Sequence, residues 1–93
     1  MYNIAFDKDA EKEFLKLDTQ AQKLVATKIL DLKNGNFSND KQLKGKHKGK
    51  FRKRAGNYRI IYLKENDYLV ISVIRIAHRK AVKNIKTIHF MLE

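Results

Sequence analysis

Lys44, Lys46, Lys48, Lys50, Arg52 and Arg54 occupy every second position of one short stretch. In an extended segment alternate side chains share a face, so this spacing sets six like charges side by side. They repel one another unless a polyanion neutralises them, which makes the stretch a phosphate-binding surface rather than a stabilising element. The same composition also fits a plain solvated basic loop. Downstream, Arg59 and Arg79 add further guanidinium groups. Guanidinium forks grip phosphate oxygens bidentately and stay charged, so Arg52, Arg59 and Arg79 suit the stabilisation of charge developing on phosphorus. A proton acceptor is harder to find, because an arginine with a pKa above about 12 does not give up its proton. His78, next to Arg79, titrates near neutrality and is the first candidate; His47, inside the lysine run, is the second. His78 read as a turn histidine without catalytic duty is the competing account. Glu65 reads as an ordinary turn residue.

The segment FRKRAGNYRIIYL must position these groups. Gly56-Asn57 between two strand-like runs predicts a two-residue hairpin loop with Ala55 opposite Tyr58. Arg54 then faces Arg59 and Arg52 faces Ile61. That register puts Arg52, Arg54 and Arg59 on one face and Phe51, Ala55, Tyr58, Ile60 and Tyr62 on the other. Cross-strand arginines destabilise a sheet unless an anion sits between them, so the pattern points to a site. Lys53 falls by parity on the apolar face; its expected place is an edge strand, the stem along the core and the ammonium in water. A nearly apolar strand, YLVISVIRIA, follows the turn from Lys64 to Asp67, as expected for a strand covered on both faces.

Upstream, Tyr2 to Phe6 reads as a short strand. Asp7 or Asp9 caps a helix running to about Leu17, with Ala10, Phe14 and Leu17 at helical spacing. Asp18 or Thr19 restarts a second helix with Ala21, Leu24, Val25, Lys28, Ile29 and Leu32 on one face, stopped at Gly35. The two helices make an antiparallel hairpin. Asn36 to Gly49 reads as a mobile basic connection, and the last residues as a short helix, a strand or an ordered tail.

Composition sets the bounds. The chain of 93 residues is expected to form one domain, 1–93, and its 43% hydrophobic residues suffice for a core without staples. It has no cysteine, and His47, His78 and His89 lack metal-ligand spacing. No metal or cofactor is expected, since no carboxylate cluster accompanies the arginines. A net charge of +11 implies attraction to nucleic acid or to an acidic protein. No stretch approaches the apolar length of a membrane span, the basic run has no apolar helical face beside it, and the start lacks a signal-peptide pattern. The expected location is the cytoplasm.

The ordered set LKGKHKGKFRKRAGNYRIIY, then VISVIRIAHRKAV, after a two-helix half, resembles the RelE/ParE superfamily of bacterial type II toxin–antitoxin toxins from about Tyr2 to Val82. It is most similar to the RelE-type mRNA interferases. The resemblance implies an α+β fold, β-α-α-β-β-β, with an N-terminal strand and helical hairpin packed on a small twisted antiparallel sheet. It implies a ribosome-dependent endoribonuclease that cleaves mRNA in the A site by 2′-OH attack and is inhibited by a cognate antitoxin, for which the +11 charge calls for an acidic partner. Arg52, Arg54, Arg59 and Arg79 match the family positions that hold the scissile phosphate and assist proton transfer. The sequence departs from the family pattern in two respects: Arg54 stands where a lysine is frequent, and Lys83 and Ile85 occupy the plausible positions of a stacking tyrosine that many relatives carry. Lys44, Lys46, His47, Lys48 and Lys50 are expected to dock on ribosomal RNA, because they exceed the charge that one phosphate needs. Two other readings fit: a noncatalytic toxin of the ParE type that poisons DNA gyrase, and a basic module that binds RNA or an acidic protein.

Overall fold

Two aspartates open the helices. In the computed structural model, which describes residues 1–44 and 49–80, Asp7 and Asp18 are extended residues preceding α1 (Lys8–Lys16) and α2 (Thr19–Lys33). The Asp18 carboxylate accepts from the Ala21 N–H at 2.8 Å, satisfying one of the donors a helix leaves open at its start. At the other end of α2, Gly35 takes φ 79°, its N–H donates to Leu32 O, and the Asn36 N–H reaches back to Asp31 O. This paired closure needs a residue in the left-handed region, which is why glycine stops the helix there.

The strands are β1 (Asn3–Phe6), β2 (Lys41–Gln42), β3 (Lys50–Ala55), β4 (Tyr58–Glu65) and β5 (Val70–His78), in spatial order β1-β5-β4-β3-β2. The meander β3-β4-β5 is antiparallel, while β1 lies parallel to β5, so the sheet is mixed. A parallel neighbour requires a long crossover, and the helical hairpin begins it. Both helices cover one face. Ala10, Val25 and Ile29 pack there on Ala55, Ile60, Val73 and Ile76, and Leu32 joins Tyr62 and Ile71 in an adjoining cluster. Among the described residues the opposite face carries a small apolar group around Ile61.

Two expectations change. The connection from Asn36 to Gly49 is not wholly irregular: Lys41 pairs with Arg52 and Gln42 with Phe51, which makes β3 an inner strand over that length. Lys53 consequently does not send its ammonium to water. It is 5% exposed, and its Nζ lies 3.1 Å from an Asp40 carboxylate oxygen and 3.2 Å from Asn36 O. Tyr62 OH donates to the same carboxylate. A buried ammonium is tolerable only when paired and hydrogen-bonded, and Asp40 supplies the pairing.

One bulge shapes the far end of the sheet. The register between β4 and β5 shifts at Ile61/Tyr62, where Tyr62 faces Val73 but Ile61 faces Arg75. Beyond Phe6, β5 has lost its β1 neighbour, and Glu13 of α1 covers that edge: its carboxylate accepts from the Ile76 N–H at 2.9 Å and from Arg75 Nη2 at 2.8 Å. An unpaired strand edge is thereby satisfied by a side chain. Among the described residues no helix is long and apolar enough to cross a membrane. The expectations for the last residues, Thr87 to Glu93, and for Lys46, His47 and Lys48 lie outside the described residues.

Candidate phosphate-binding site

The hairpin closes as its sequence requires. Ala55 pairs with Tyr58, Arg54 with Arg59 and Arg52 with Ile61. Gly56 has φ 60°, the left-handed value that a primed two-residue turn needs at its first central residue. A side chain there would also collide with Leu24, whose Cδ2 would stand 2.5 Å from a Cβ at Gly56.

Pairing geometry fixes how close the arginines come. Lys50 O accepts from the Leu43 N–H, so Lys50, Arg52 and Arg54 all turn their backbone groups toward the β2 side. Arg54 and Arg59 therefore form a non-hydrogen-bonded pair, the class in which Cα atoms approach to about 4.5 Å and side chains lie closest. Arg52 projects from the same face, two residues along β3. Arg79 is brought in at the turn, where its N–H donates to Asn57 O at 2.6 Å.

Electrostatics report the same convergence. The Arg59 pKa is lowered, first by burial and then by the charges of Arg54, Arg52 and Arg79. Arg59 Nη1 donates to Gly56 O at 3.0 Å and to Tyr58 O at 2.9 Å. These bonds hold the guanidinium against the turn and leave its Nε and Nη2 edge for a bidentate anion. Among the described residues no carboxylate pairs with Arg52, Arg54, Arg59 or Arg79. Four converging cations with no counter-ion among the described residues can hold an anion.

His78 is not part of it. The residue pairs with Tyr58, its ring meets the Tyr58 ring edge-on at 5.5 Å, and its Nδ1 accepts from the Lys80 N–H at 3.2 Å. Tyr58 packs on the helix-facing core, so His78 stands on the side opposite Arg54 and Arg59. The bulge is the physical reason: one extra residue in β5 reverses the parity of everything after it. Glu65, paired with Val70 at the distant end of β4, is also remote from the arginines. Lys44 and Lys50 flank the undescribed segment 45–48, with Lys50 opening β3 on the arginine side of the sheet.

Sequence reasoning assigned no site role to Lys28. A recess of about 560 Å³ at the edge of β3 is lined by Arg52, Arg54 and Arg59 and also by Lys28 and Lys41. Lys28 was legible as a lysine placed among the apolar positions of α2. Asp40 reaches the recess too, with its charge committed to Lys53.

Residues 4–82 match the family model described as the ParE toxin of type II toxin-antitoxin systems, parDE. The chain belongs to this family. This toxin matches no curated protein in sequence. Its fold is shared with solved structures. The isolated E. coli RelE toxin is 21% identical over 91% of this chain and 99% of that one, with a TM-score of 0.72. RelE in the intact E. coli RelBE toxin-antitoxin complex is 22% identical over 84% of this chain and 96% of that one, also at 0.72. The archaeal RelE-RelB complex from Pyrococcus horikoshii gives 24% identity over 84% and 94%, with a TM-score of 0.65. These likenesses establish a RelE-like α+β fold for the toxin.

Proposed function

We propose that this toxin is a ribosome-dependent endoribonuclease that cuts mRNA in the A site by attack of a ribose 2′-OH on the adjacent phosphate. The convergence of Arg52, Arg54 and Arg79 on Arg59, with no carboxylate of the described residues paired to them, is the observation that carries the reading. In the reaction the 2′-oxygen bonds to phosphorus as the bond to the 5′-oxygen breaks, giving a 2′,3′-cyclic phosphate and a 5′-hydroxyl. Negative charge grows on the non-bridging oxygens, and Arg54, Arg59 and Arg79 hold those oxygens and lower that charge in energy. A guanidinium N–H of the same set hydrogen-bonds the departing 5′-oxygen, which takes its proton from solvent water as it leaves. The 2′-OH proton goes to an imidazole; with His78 on the other side of the sheet, that duty falls to His47.

The basic surface reads phosphate and carries little base information. A small sheet does not hold a flexible strand in line for attack, so positioning comes from the ribosome, with Lys44 to Lys50 docking on ribosomal RNA. An acidic cognate antitoxin, whose tail covers the basic face, holds the toxin inactive through burial and neutralisation. The E. coli structure is a RelBE toxin-antitoxin complex, and the P. horikoshii one holds RelE with RelB.

One observation favours a second reading, poisoning of DNA gyrase. The matching family model is that of the ParE toxin of parDE systems. Purified toxin added to translating ribosomes should give cuts within A-site codons, mapped by primer extension, with no effect on gyrase supercoiling. Uncut mRNA together with inhibited supercoiling would transfer the assignment to gyrase.

A further inference from the structure

The arginine cluster occupies only part of the cationic surface. The recess beside it runs from Arg54 and Arg59 past the edge of β3 to Lys28 on α2 and Lys41 on β2. Lys28 is half-buried, although its neighbours on that helix face, Val25, Ile29 and Leu32, are core residues. A lysine at such a position keeps its stem on apolar surface and delivers its ammonium to one place, here the recess. Lys41 pairs with Arg52 across β2 and β3, so both charges leave the same face.

The backbone adds a donor. β2 starts at Lys41, opposite Arg52, so β3 runs on beyond its neighbour at Arg54. Arg54 turns its N–H outward by the same alternation that pairs Lys50 with Leu43, and no acceptor among the described residues takes it. Two ammonium groups and an open N–H thus line a space on the far side of Arg54 from Arg59. Asp40 does not cancel them, since its carboxylate serves Lys53 Nζ at 3.1 and 3.3 Å and Tyr62 OH.

We infer that this recess is a second phosphate subsite, in which Lys28, Lys41 and the Arg54 N–H hold the backbone phosphate next to the one the arginines hold. The inference rests on the reading of the arginine face as phosphate-binding. It fixes the ligand as a single polynucleotide strand: Lys28, Lys41, Arg54 and Arg59 line one recess around the edge of β3, so successive phosphates of one strand reach both subsites with Arg54 between them. An acidic peptide presents carboxylates on flexible stems and does not need a half-buried lysine that fixes its ammonium in one place.

The test separates binding from cleavage by using a labelled 2′-O-methyl oligouridylate, which lacks the attacking hydroxyl. Its affinity for the full chain is followed by fluorescence anisotropy against ionic strength. Each lost phosphate contact should flatten the log–log salt slope by about 0.7 on a single strand, so Lys28→Gln and Lys41→Gln should each do so while Lys28→Arg keeps the slope. Arg54→Gln should flatten it by more. Unchanged slopes for both lysine variants, with Arg54→Gln still effective, would overturn the subsite, as would failure of the unmodified chain to bind the oligonucleotide. It is also overturned if the lysine variants weaken a polyglutamate peptide and spare the oligonucleotide. Slopes as expected, together with intact mRNA in the ribosome assay, would keep the subsite and remove the nuclease reading alone.

Discussion

Arg54 and Arg59 stand directly opposite each other in a non-hydrogen-bonded pair of β3 and β4, where cross-strand side chains approach most closely. Like charges so placed weaken a sheet, and the sheet tolerates them beside two further guanidiniums, Arg52 and Arg79. An anion reverses the sign of that interaction.

Stability and activity should therefore move in opposite directions at this pair. Arg54→Thr removes the repulsion and supplies a β-branched residue, so it should raise urea stability by roughly 0.2–1 kcal/mol. The same change should lower A-site cleavage by about 10²–10³-fold, the cost of one lost donor to a developing oxyanion. Added phosphate should raise the melting temperature of the unmodified chain more than that of the variant. Equal phosphate effects would count against an anion between the strands.

Gly56 joins the hairpin to α2 by its lack of a side chain. Gly56→Ala forces an L-residue to φ 60° and presses its Cβ on Leu24, so both backbone strain and a clash oppose it. Destabilisation of about 1–3 kcal/mol is expected from the two terms together. Leu24→Ala in the same chain relieves the clash and leaves the strain, so the double variant should recover part of the loss beyond the sum of the two single changes. Strict additivity in chemical unfolding would show that Leu24 is not what restricts the turn.

The phenol of Tyr62 gives a pH signature. Its pKa is raised above the ordinary 10.0, first by burial, then by the hydrogen bond to Asp40 and the Asp40 charge. The folded state thus keeps a proton that the unfolded chain releases from about pH 10 upward. Its contribution is fully present below that pH and is lost progressively above it. Tyr62→Phe should be less stable at neutral pH, because Asp40 loses a donor, but should lose less stability between neutrality and high alkaline pH. Parallel stability curves for the two chains would exclude the linkage.

The hairpin, its register and the helix ends were legible because each depends on neighbouring residues: Gly56-Asn57 between two runs, Asp18 ahead of an apolar stripe, Gly35 behind one. Three features depend on distant partners and were not. Two-residue β2 is too short to show any alternation, and it exists because β3 offers it an edge. Lys53 looks like an edge lysine until Asp40, thirteen residues away, arrives as its counter-ion. In the site, the arginine face could be counted from the hairpin, whereas His78 could not, since the register shift opposite Ile61/Tyr62 has no glycine or turn residue to mark it in a nearly apolar strand.

That shift sets where the imidazole at position 78 stands. With the bulge, Ala77 faces Arg59 and His78 faces Tyr58, so an imidazole at position 78 is directed to the helix side of the sheet. His78→Ala should leave A-site cleavage within a few-fold of the unmodified chain, with an effect on stability from the lost ring contact to Tyr58. His47→Ala should instead slow cleavage by about 10²–10⁴-fold and remove the acid limb of its pH profile, as expected for loss of a neutral imidazole base. Measuring both variants in one ribosome assay over the range in which imidazole titrates separates the assignments. A collapse of activity in His78→Ala with an unperturbed His47→Ala would require the imidazole to cross to the arginine face, and with it a β5 register without the bulge.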